Sequence, residues 1–539
     1  MAAERGWEEL RSTAANSDLA ILGSEICQAY DVDFQHWLDS ATTPLPETLR
    51  LNPLRYDYDW TKNLLAEIGG SEIQWYSAKG GAFHFPWYRG KPDDVNVKPI
   101  MQALHETGRV TRQEAASMLP IIIASPKPEE TLLDMCAAPG SKTTQAMVAM
   151  EGKGLVLANE VHSKRANMLG TNIGRMGLPN AIVCRHDGRH FPRVPEPGFD
   201  VVIADVPCTG SATVRKNGGL WRRWKTTSSS GIQRLQIDIA TRGARLLRPG
   251  GRLVYSTCSI DVTENEAVVA EILNNCPWLS LQNIDESILP GLHLYDGFSD
   301  WPELKNYGKE ICDELTKCRR LPIGGEANTG GFFVALFKHE GEGEIADALI
   351  YDKEMKLKIG NVPALNEHTP TPIDHEMLTE ISQKWPIEFD HYSLWKRGKR
   401  VCAGTTQMKS WLYELPIYGG KGRIWPGNNW HPLNIIHSGL PILEERSGTL
   451  RTKSAAMPIL RDTLQHDSIE LTNDQFSNWL TGPGPSREEL KLGEEKGSVI
   501  ISFDSDIGKI VVPGWLGELL TPMIDAKERL ILEIQSRGL

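Results

Sequence analysis

Cysteine is scarce and unorganised in this chain, with nine thiols in 539 residues, an odd number set in no repeating framework. That excludes a fully paired disulfide scaffold and makes a reducing, intracellular compartment the natural expectation. Cys312 and Cys318 have no partner pair at zinc-ligand spacing, and no metal is expected. Long apolar runs are missing as well. The nearest, MLPIIIAS at 118–125, falls far short of the about 20 residues that span a bilayer, so no membrane partner is expected. The first residues, MAAERGWEEL, carry glutamates and no apolar stretch, which speaks against a secretory leader. There is no internal repeat and no low-complexity tract. Positive charge is in deficit, 58 Lys and Arg against 69 Asp and Glu for a net −11, which on average argues against a nucleic-acid partner.

The average hides a local pattern. Between Val214 and Arg252 stand ten Lys or Arg and one acid, Asp238. Charges farther apart than a Debye length of about 8 Å are screened, so a local patch is what phosphate binding needs. Arg215, Lys216, Arg222 and Arg223 are the candidate RNA contacts, and Trp221 and Trp224 among them offer faces on which bases stack. The alternative is a solvated helix face with loop arginines. With 40% hydrophobic and 24% charged residues the chain can bury sizeable cores, and its length suits two to four domains.

The centre alternates strand-like and helix-like segments. Strands are expected at 131–134, 154–158, 181–184, 199–205 and 252–257, with helices at 142–150, 163–176 and 232–247, the last closed by Arg-Pro-Gly-Gly. This predicts a parallel sheet with helices on both faces. GGFFVALFKH (330–339) reads as one more strand, 1–110 as a mixed α/β region, 341–376 as a polar linker, and 377–539 as a β-rich domain of short strands.

In such sheets ligands bind outside the carboxyl ends of the strands. Strand one ends in Asp134 and runs into Cys136-Ala137-Ala138-Pro139-Gly140-Ser141-Lys142, a turn opening a helix. Strand two leads to Glu160, where dinucleotide-type folds place the acid that binds ribose hydroxyls. Strand three leads to Asp187, strand four ends at Asp205, and strand five runs into Cys258. The turn is superficially like a phosphate-binding loop, but adjacent Gly-Lys and the earlier Gly are absent, so triphosphate hydrolysis is not expected. DVPCTG (205–210) and STCS (256–259) then bring two thiols, Cys208 and Cys258, to one end of the sheet. A free cysteine is commonly a small buried apolar residue. That reading is given to Cys27, Cys276, Cys312, Cys318 and Cys402, and mostly to Cys136 and Cys184.

LLDMCAAPGSKTTQ, DVPCTG, RKN, IATRGARLL and LVYSTCS together resemble the Sun-type (Nol, Nop and Sun) family of RNA cytosine-5 methyltransferases over about residues 111–339. PLPETLRLN, GSVIISF and VVPGWLG are similar to its transfer-RNA branch. The resemblance implies a Rossmann-like S-adenosylmethionine-dependent core (111–340), an N-terminal RNA-contacting region and a C-terminal PUA-like domain acting on RNA, with transfer RNA first. Cytosine carbon 5 is a poor nucleophile until a thiolate adds at carbon 6. By resemblance Cys258 is that nucleophile, Cys208 aids product release, and Asp205 and Lys142 serve the target base. The cofactor would lie across Cys136–Lys142, with Glu160 on its ribose, Asp187 near its adenine and Asp205 close by. Backbone NH groups at the helix start would hold its carboxylate.

The chain departs from the family pattern in three places. Ser211-Ala212-Thr213 replaces a common Gly-Asp-Gly-Thr, Glu160 replaces a frequent Asp, and Ile-Asp-Val-Thr-Glu-Asn-Glu after Cys258 and Ser259 lacks the usual Asn-Pro. Thr263 with Glu266 is expected to form a capping box for the next helix. The rivals are a DNA cytosine-5 methyltransferase, in which the Pro-Cys thiol attacks, a silent RNA-binding paralogue, and the same chemistry on ribosomal or messenger RNA. A monomer is expected, in the nucleus or nucleolus of a eukaryote and otherwise in the cytoplasm. Lys396-Arg397-Gly398-Lys399-Arg400 reads as an import signal or an RNA-contacting strand edge.

Overall fold

The structure, a computed structural model, describes residues 10–88, 90–92, 94–192, 194, 197–341, 371–385, 392–411, 433–457, 461, 468–494 and 496–536. Its centre is a ten-stranded sheet. In chain order the core elements are β1 (Thr131–Asp134), α1 (Ser141–Ala149), β2 (Leu155–Asn159), α2 (Ser163–Arg175), β3 (Ala181–Arg185), β4 (Phe199–Asp205), α3 (Ser230–Ala244), β5 (Leu247–Thr257), α4 (Glu266–Asn275), β6 (Phe332–His339) and β7 (Asn434–Ser438). They lie in the order β6-β5-β4-β1-β2-β3-β7, and the short strands 319–321 and 295–296 continue the sheet beyond β6. β1 to β5 run parallel, and β6 and β7 are antiparallel to their neighbours.

Parallel strands are buried on both faces, which is why β2 (LVLAN) is apolar almost throughout and wholly buried. One face packs on α3 and α4 through Ile239, Ala240, Val268 and Val269, and the other on α1 and α2 through Met147, Val148, Leu169 and Ile173. The doubly wound core expected from the sequence is present, with most boundaries within a residue or two. One expectation fails in detail. Arg-Pro-Gly-Gly does not close a helix: α3 ends at Ala244, and β5 already pairs Leu247 with Phe199. The register then jumps to Val201 opposite Arg252, so Pro249-Gly250-Gly251 form a bulge within the strand, with Gly250 at φ +75°.

The N-terminal region packs helices Asp18–Ala29, Phe34–Ala41, Tyr58–Glu67 and Val97–Glu106 with a four-stranded antiparallel sheet, whose last strand in sequence, Val110–Arg112, crosses the expected boundary at 110. The C-terminal residues form a five-stranded and a four-stranded sheet rather than one. They also return to the rest of the molecule. β7 covers the open edge of β3, Thr405 Oγ1 donates to Gly154 O at 2.6 Å, and the Trp411 ring packs tilted against Phe199, centroids 5.1 Å apart. The contacts to Gly154 and Phe199 lie at the amino ends of β2 and β4, whereas β7 runs along β3 to its carboxyl end, with Asn434 opposite Arg185. Helix Ala526–Ser536 docks on helix Val97–Glu106, and Ile531 enters the N-terminal core. The 396–400 motif is the turn of a hairpin between Ser393–Arg397 and Arg400–Gly404, and Arg397 donates to the carbonyls of Ile435 and Ile436. Most of the expected linker, 342–370, falls outside the described residues. Among the described residues no helix is long and apolar enough to cross a membrane.

Candidate active site

The carboxyl ends of β1 to β5 gather the residues singled out from the sequence. After β1 the chain passes through a cis Ala138–Pro139 bond to Gly140 at φ +107°, and α1 begins at Ser141. A side chain at Gly140 would strike Leu169 Cδ1 at 2.8 Å, so glycine is needed there for both conformation and space. Strand β2 and helix α2 pin the turn: Ala137 N donates to Asn159 O at 2.8 Å, Arg165 to Ala138 O at 2.6 Å, and Asn172 to Pro139 O at 2.6 Å. Asn159 further bridges Met135 O and His186 O through its amide.

The acids differ in their surroundings. Asp134 is buried, with Oδ2 accepting from Thr143 Oγ1 at 2.7 Å and Oδ1 partnerless among the described residues. Burial pushes its carboxyl up to about 6, the Thr143 bond opposing and Asp205 reinforcing. Glu160 is buried, accepts His162 N at 2.8 Å and lies 3.4 Å from Arg165, which ties it to the turn. Asp187 caps a short turn and is held below the usual carboxylate range, first by the hydrogen bond from Arg189. A strand-end site with a glycine turn, the first NH groups of a helix, an orphaned carboxylate oxygen at the end of β1 and carboxylates after the next two strands fits S-adenosylmethionine. The turn 136–142 would take its methionine part, Glu160 its ribose and Asp187 its adenine side.

At the ends of β4 and β5 the two thiols meet, with Cys208 Sγ 3.2 Å from Cys258 Sγ. The hydrogen bond with Cys258, then burial, holds the Cys208 thiol well above its ordinary range. Beside them Lys142 Nζ donates to Asp205 Oδ2 at 2.7 Å, and Ser256 Oγ donates to Asp205 Oδ1 at 2.9 Å. Burial alone would lower the Lys142 pKa, but Asp205 and, to a lesser degree, Cys258 outweigh it and raise it. With both Asp205 oxygens accepting, the proton donor of the couple is Lys142, whose Nζ also lies 5.4 Å from the centre of the Phe332 ring.

The basic segment divides. Arg215 is buried, and it donates to the carbonyls of Thr43, Pro44 and Thr329 and to Asn328 Oδ1. It joins the N-terminal region to the core and, in this arrangement, has no face open to RNA. Arg248 and Arg252 pair with Asp200 and Glu130. Trp221 and Trp224 are buried in an N-terminal cluster, Trp221 edge-on to Trp37 at 6.1 Å, so they serve as core and not as stacking platforms. Lys216, Arg222 and Arg223 remain exposed.

Sequence reading missed Glu264. Fully buried, its carboxylate accepts from Thr209 N at 2.8 Å, Gln236 Nε2 at 2.9 Å and Ser259 Oγ at 2.6 Å, as well as from Thr209 Oγ1. The capping box expected of Thr263 with Glu266 does not form. Asn265 occupies the cap position with no capping side-chain bond, and Glu266 instead pairs with buried Arg320. Polar residues in this stretch follow no period, so only the folded chain reveals what they face. Of the cysteines read as core, Cys27, Cys184, Cys276, Cys318 and Cys402 are buried, while Cys136 and Cys312 are partly exposed. Among the described residues no group of three or more His, Cys, Asp or Glu is placed to hold a metal.

Comparison with known proteins gives a consistent picture. The profile of the family described as 16S rRNA methyltransferase RsmB/F matches residues 121–338. The chain is 33% identical over 367 residues to the multisite-specific tRNA:(cytosine-C(5))-methyltransferase of Saccharomyces cerevisiae, covering 57% of this chain and 52% of that one. It is 36% identical over 296 residues to the tRNA (cytosine(49)-C(5))-methyltransferase of Pyrococcus abyssi, 88% of which is covered by 55% of this chain. It is also 36% identical over 474 residues to the ribosomal RNA small subunit methyltransferase F of Erwinia tasmaniensis, covering 84% of each. Against the yeast protein the chain thus spans about half of the relative's length.

Proposed function

Because this chain belongs to the RsmB/F, or Sun, family of RNA cytosine-5 methyltransferases, we propose that it methylates carbon 5 of a cytosine in transfer RNA through a covalent thiol adduct. The observation that carries this reading is the pair of thiols 3.2 Å apart beside the Lys142–Asp205 couple, at the ligand-binding end of the sheet.

Cys258, fixed at the end of β5, adds through Sγ to carbon 6 of the base. The Sγ–C6 bond forms and the π pair shifts toward carbon 5, making it enamine-like. Lys142, held by Asp205, stabilises the negative charge that develops along the N3 edge. Bound S-adenosylmethionine supplies the methyl group that carbon 5 captures, as a cation equivalent leaving a neutral thioether behind. Cys208, which keeps its proton while Cys258 beside it is the free thiolate, suits a proton carrier better than a nucleophile. Once Cys258 Sγ is bonded to carbon 6, Cys208 gives its proton to solvent and as a thiolate takes the carbon-5 proton, whose electron pair restores the C5–C6 double bond as Cys258 Sγ departs as a thiolate. This assignment runs opposite to a DNA-type enzyme, in which the Pro-Cys thiol attacks. Arg222, Arg223 and Lys216 are the exposed bases we assign to the RNA track, and the C-terminal sheets to a PUA-like RNA-contacting unit.

A second reading, ribosomal RNA as substrate, is favoured by one observation, the match to the Erwinia tasmaniensis relative over 84% of both chains. The test incubates purified protein with labelled S-adenosylmethionine and either transfer RNA or small-subunit ribosomal RNA. Wild type is expected to make 5-methylcytidine in transfer RNA, Cys258→Ala none, and Cys208→Ala a denaturation-resistant protein–RNA adduct. Methylation of ribosomal RNA alone selects the second reading. An adduct trapped by Cys258→Ala instead of Cys208→Ala reverses the roles of the thiols, and no methylation of either RNA rejects both substrates.

A further inference from the structure

We propose that Glu264 is the positioning residue that holds Cys208 against Cys258, a role that rests on the covalent reading above. Thr209 follows Cys208 and Ser259 follows Cys258, and one carboxylate grips both. Oε2 accepts Thr209 N at 2.8 Å, and Oε1 accepts Ser259 Oγ at 2.6 Å together with Thr209 Oγ1. Gln236 donates to Oε2 at 2.9 Å, and the Ser229 hydroxyl is shared between Asp261 and Glu264. Trp224 Nε1 donates to Thr209 Oγ1 at 3.1 Å, which leaves the threonine proton directed at Glu264.

A buried carboxylate is costly unless hydrogen-bonded, and among the described residues no cation pairs with this one. Every partner is a donor, and only an ionised carboxylate offers acceptors alone. An amide in its place would turn an NH2 toward donors on one side or the other. The two thiols also differ in what else fixes them. Cys258 directly follows a strand with a paired ladder on both sides, and its carbonyl accepts Ala212 N at 3.0 Å. Cys208 sits on the loop after β4; Thr209 after it is held by Glu264, and the Pro207 carbonyl before it accepts Gln236 Nε2 at 2.9 Å, the same amide that donates to Glu264. Loss of Glu264 therefore moves Cys208 and leaves Cys258, so adduct formation continues while release fails.

The test compares wild type, Glu264→Gln and Thr209→Val. A misplacement of about 1 Å at a catalytic group costs about a hundredfold. Glu264→Gln is expected to lose that factor in multiple-turnover 5-methylcytidine formation while accumulating more denaturation-resistant RNA adduct per folded molecule than wild type. A merely structural role would lower adduct and turnover together, in proportion to the folded fraction, and that result overturns the proposal. Thr209→Val keeps the backbone bond and loses the hydroxyl, so the adduct-to-turnover ratio is expected to shift in the same direction by less. An unchanged ratio in that variant overturns the proposal even where Glu264→Gln fails to fold. A second readout needs no RNA: phenylarsine oxide bridges adjacent thiols, with Cys208→Ala and Cys258→Ala as controls. Wild type is expected to capture it at this pair, and Glu264→Gln at least about tenfold more weakly because the effective concentration of the second thiol falls. Capture as tight as wild type sinks the positioning role. Wild type that captures the arsenical but methylates no RNA sinks the methylation reading and leaves the thiol geometry standing.

Discussion

Replacing Arg109 with Met is expected to unlock the C-terminal helix from the N-terminal region at a cost of about 3–5 kcal/mol near neutral pH, the usual cost of breaking a buried ion pair from one side. Arg109 is fully buried. Its Nε donates to Asp57 Oδ2 at 2.6 Å, while Nη1 and Nη2 grip Glu528 at 2.7 and 2.8 Å across 419 residues of sequence. Without it Asp57 keeps Gln535, and Glu528 keeps only the longer 3.7 Å pair with Arg55. Two carboxylates then share a dry site with too few cations. Burial alone would raise the pKa of Asp57 and of Glu528, but Arg109, with Arg55, holds both below their ordinary values of 3.8 and 4.5. Acids depressed in this way stabilise the fold above their unfolded values and lose that contribution as pH falls through the folded ones. The penalty of Arg109→Met should therefore be full at pH 7 and shrink as pH falls, first as the stranded acids, raised by burial once Arg109 is gone, take up protons in the variant, and then as the depressed pair titrates in wild type. Urea unfolding followed by tryptophan fluorescence, at pH 7 and at pH 3.5, measures it. Adding Asp57→Leu and Glu528→Leu removes the stranded charges and is expected to recover much of the loss. A cost below about 1 kcal/mol at pH 7, or one that does not shrink in acid, refutes the reasoning.

Other consequences follow at the site. Burial pushes the Asp134 carboxyl from 3.8 to about 6, so its contribution to stability is complete below 3.8 and lost as pH rises through 6, about 3 kcal/mol in all. Asp134→Asn should remove that slope between about pH 4 and 6; equal slopes in the two proteins there would contradict it. Gly140→Ala, forced into φ +107° and against Leu169, is expected to cost about 1–2 kcal/mol in stability. It should also weaken S-adenosylmethionine binding in calorimetry, and unchanged binding would show that the turn does not carry the cofactor. Arg222→Glu with Arg223→Glu should weaken transfer-RNA binding and reduce the slope of log affinity against log salt by about one for each phosphate no longer neutralised; an unchanged slope would place the RNA track elsewhere.

The amino-acid sequence by itself determined the catalytic core. Continuous apolar runs such as LVLAN are what strands buried on both faces require, and acids or cysteines at their ends fall where a parallel sheet exposes its binding edge. Those are local signals, and the fold reproduced them almost residue for residue. Tertiary structure alone decided which charges stay exposed and which hold the protein together. Arg215 and Arg222 look equivalent in the chain, yet one is enclosed by carbonyls from two regions and the other is exposed. Trp221 and Trp224 sit in a basic segment that invites a stacking role, and packing against Trp37 and its cluster makes them core. Glu264 carries no motif of its own, because a carboxylate that gathers donors from three separate segments is defined only once those segments meet. The long-range joins, β7 on β3 and Glu528 on Arg109, were hidden for the same reason: pairing between residues hundreds of positions apart leaves no periodic trace in either partner.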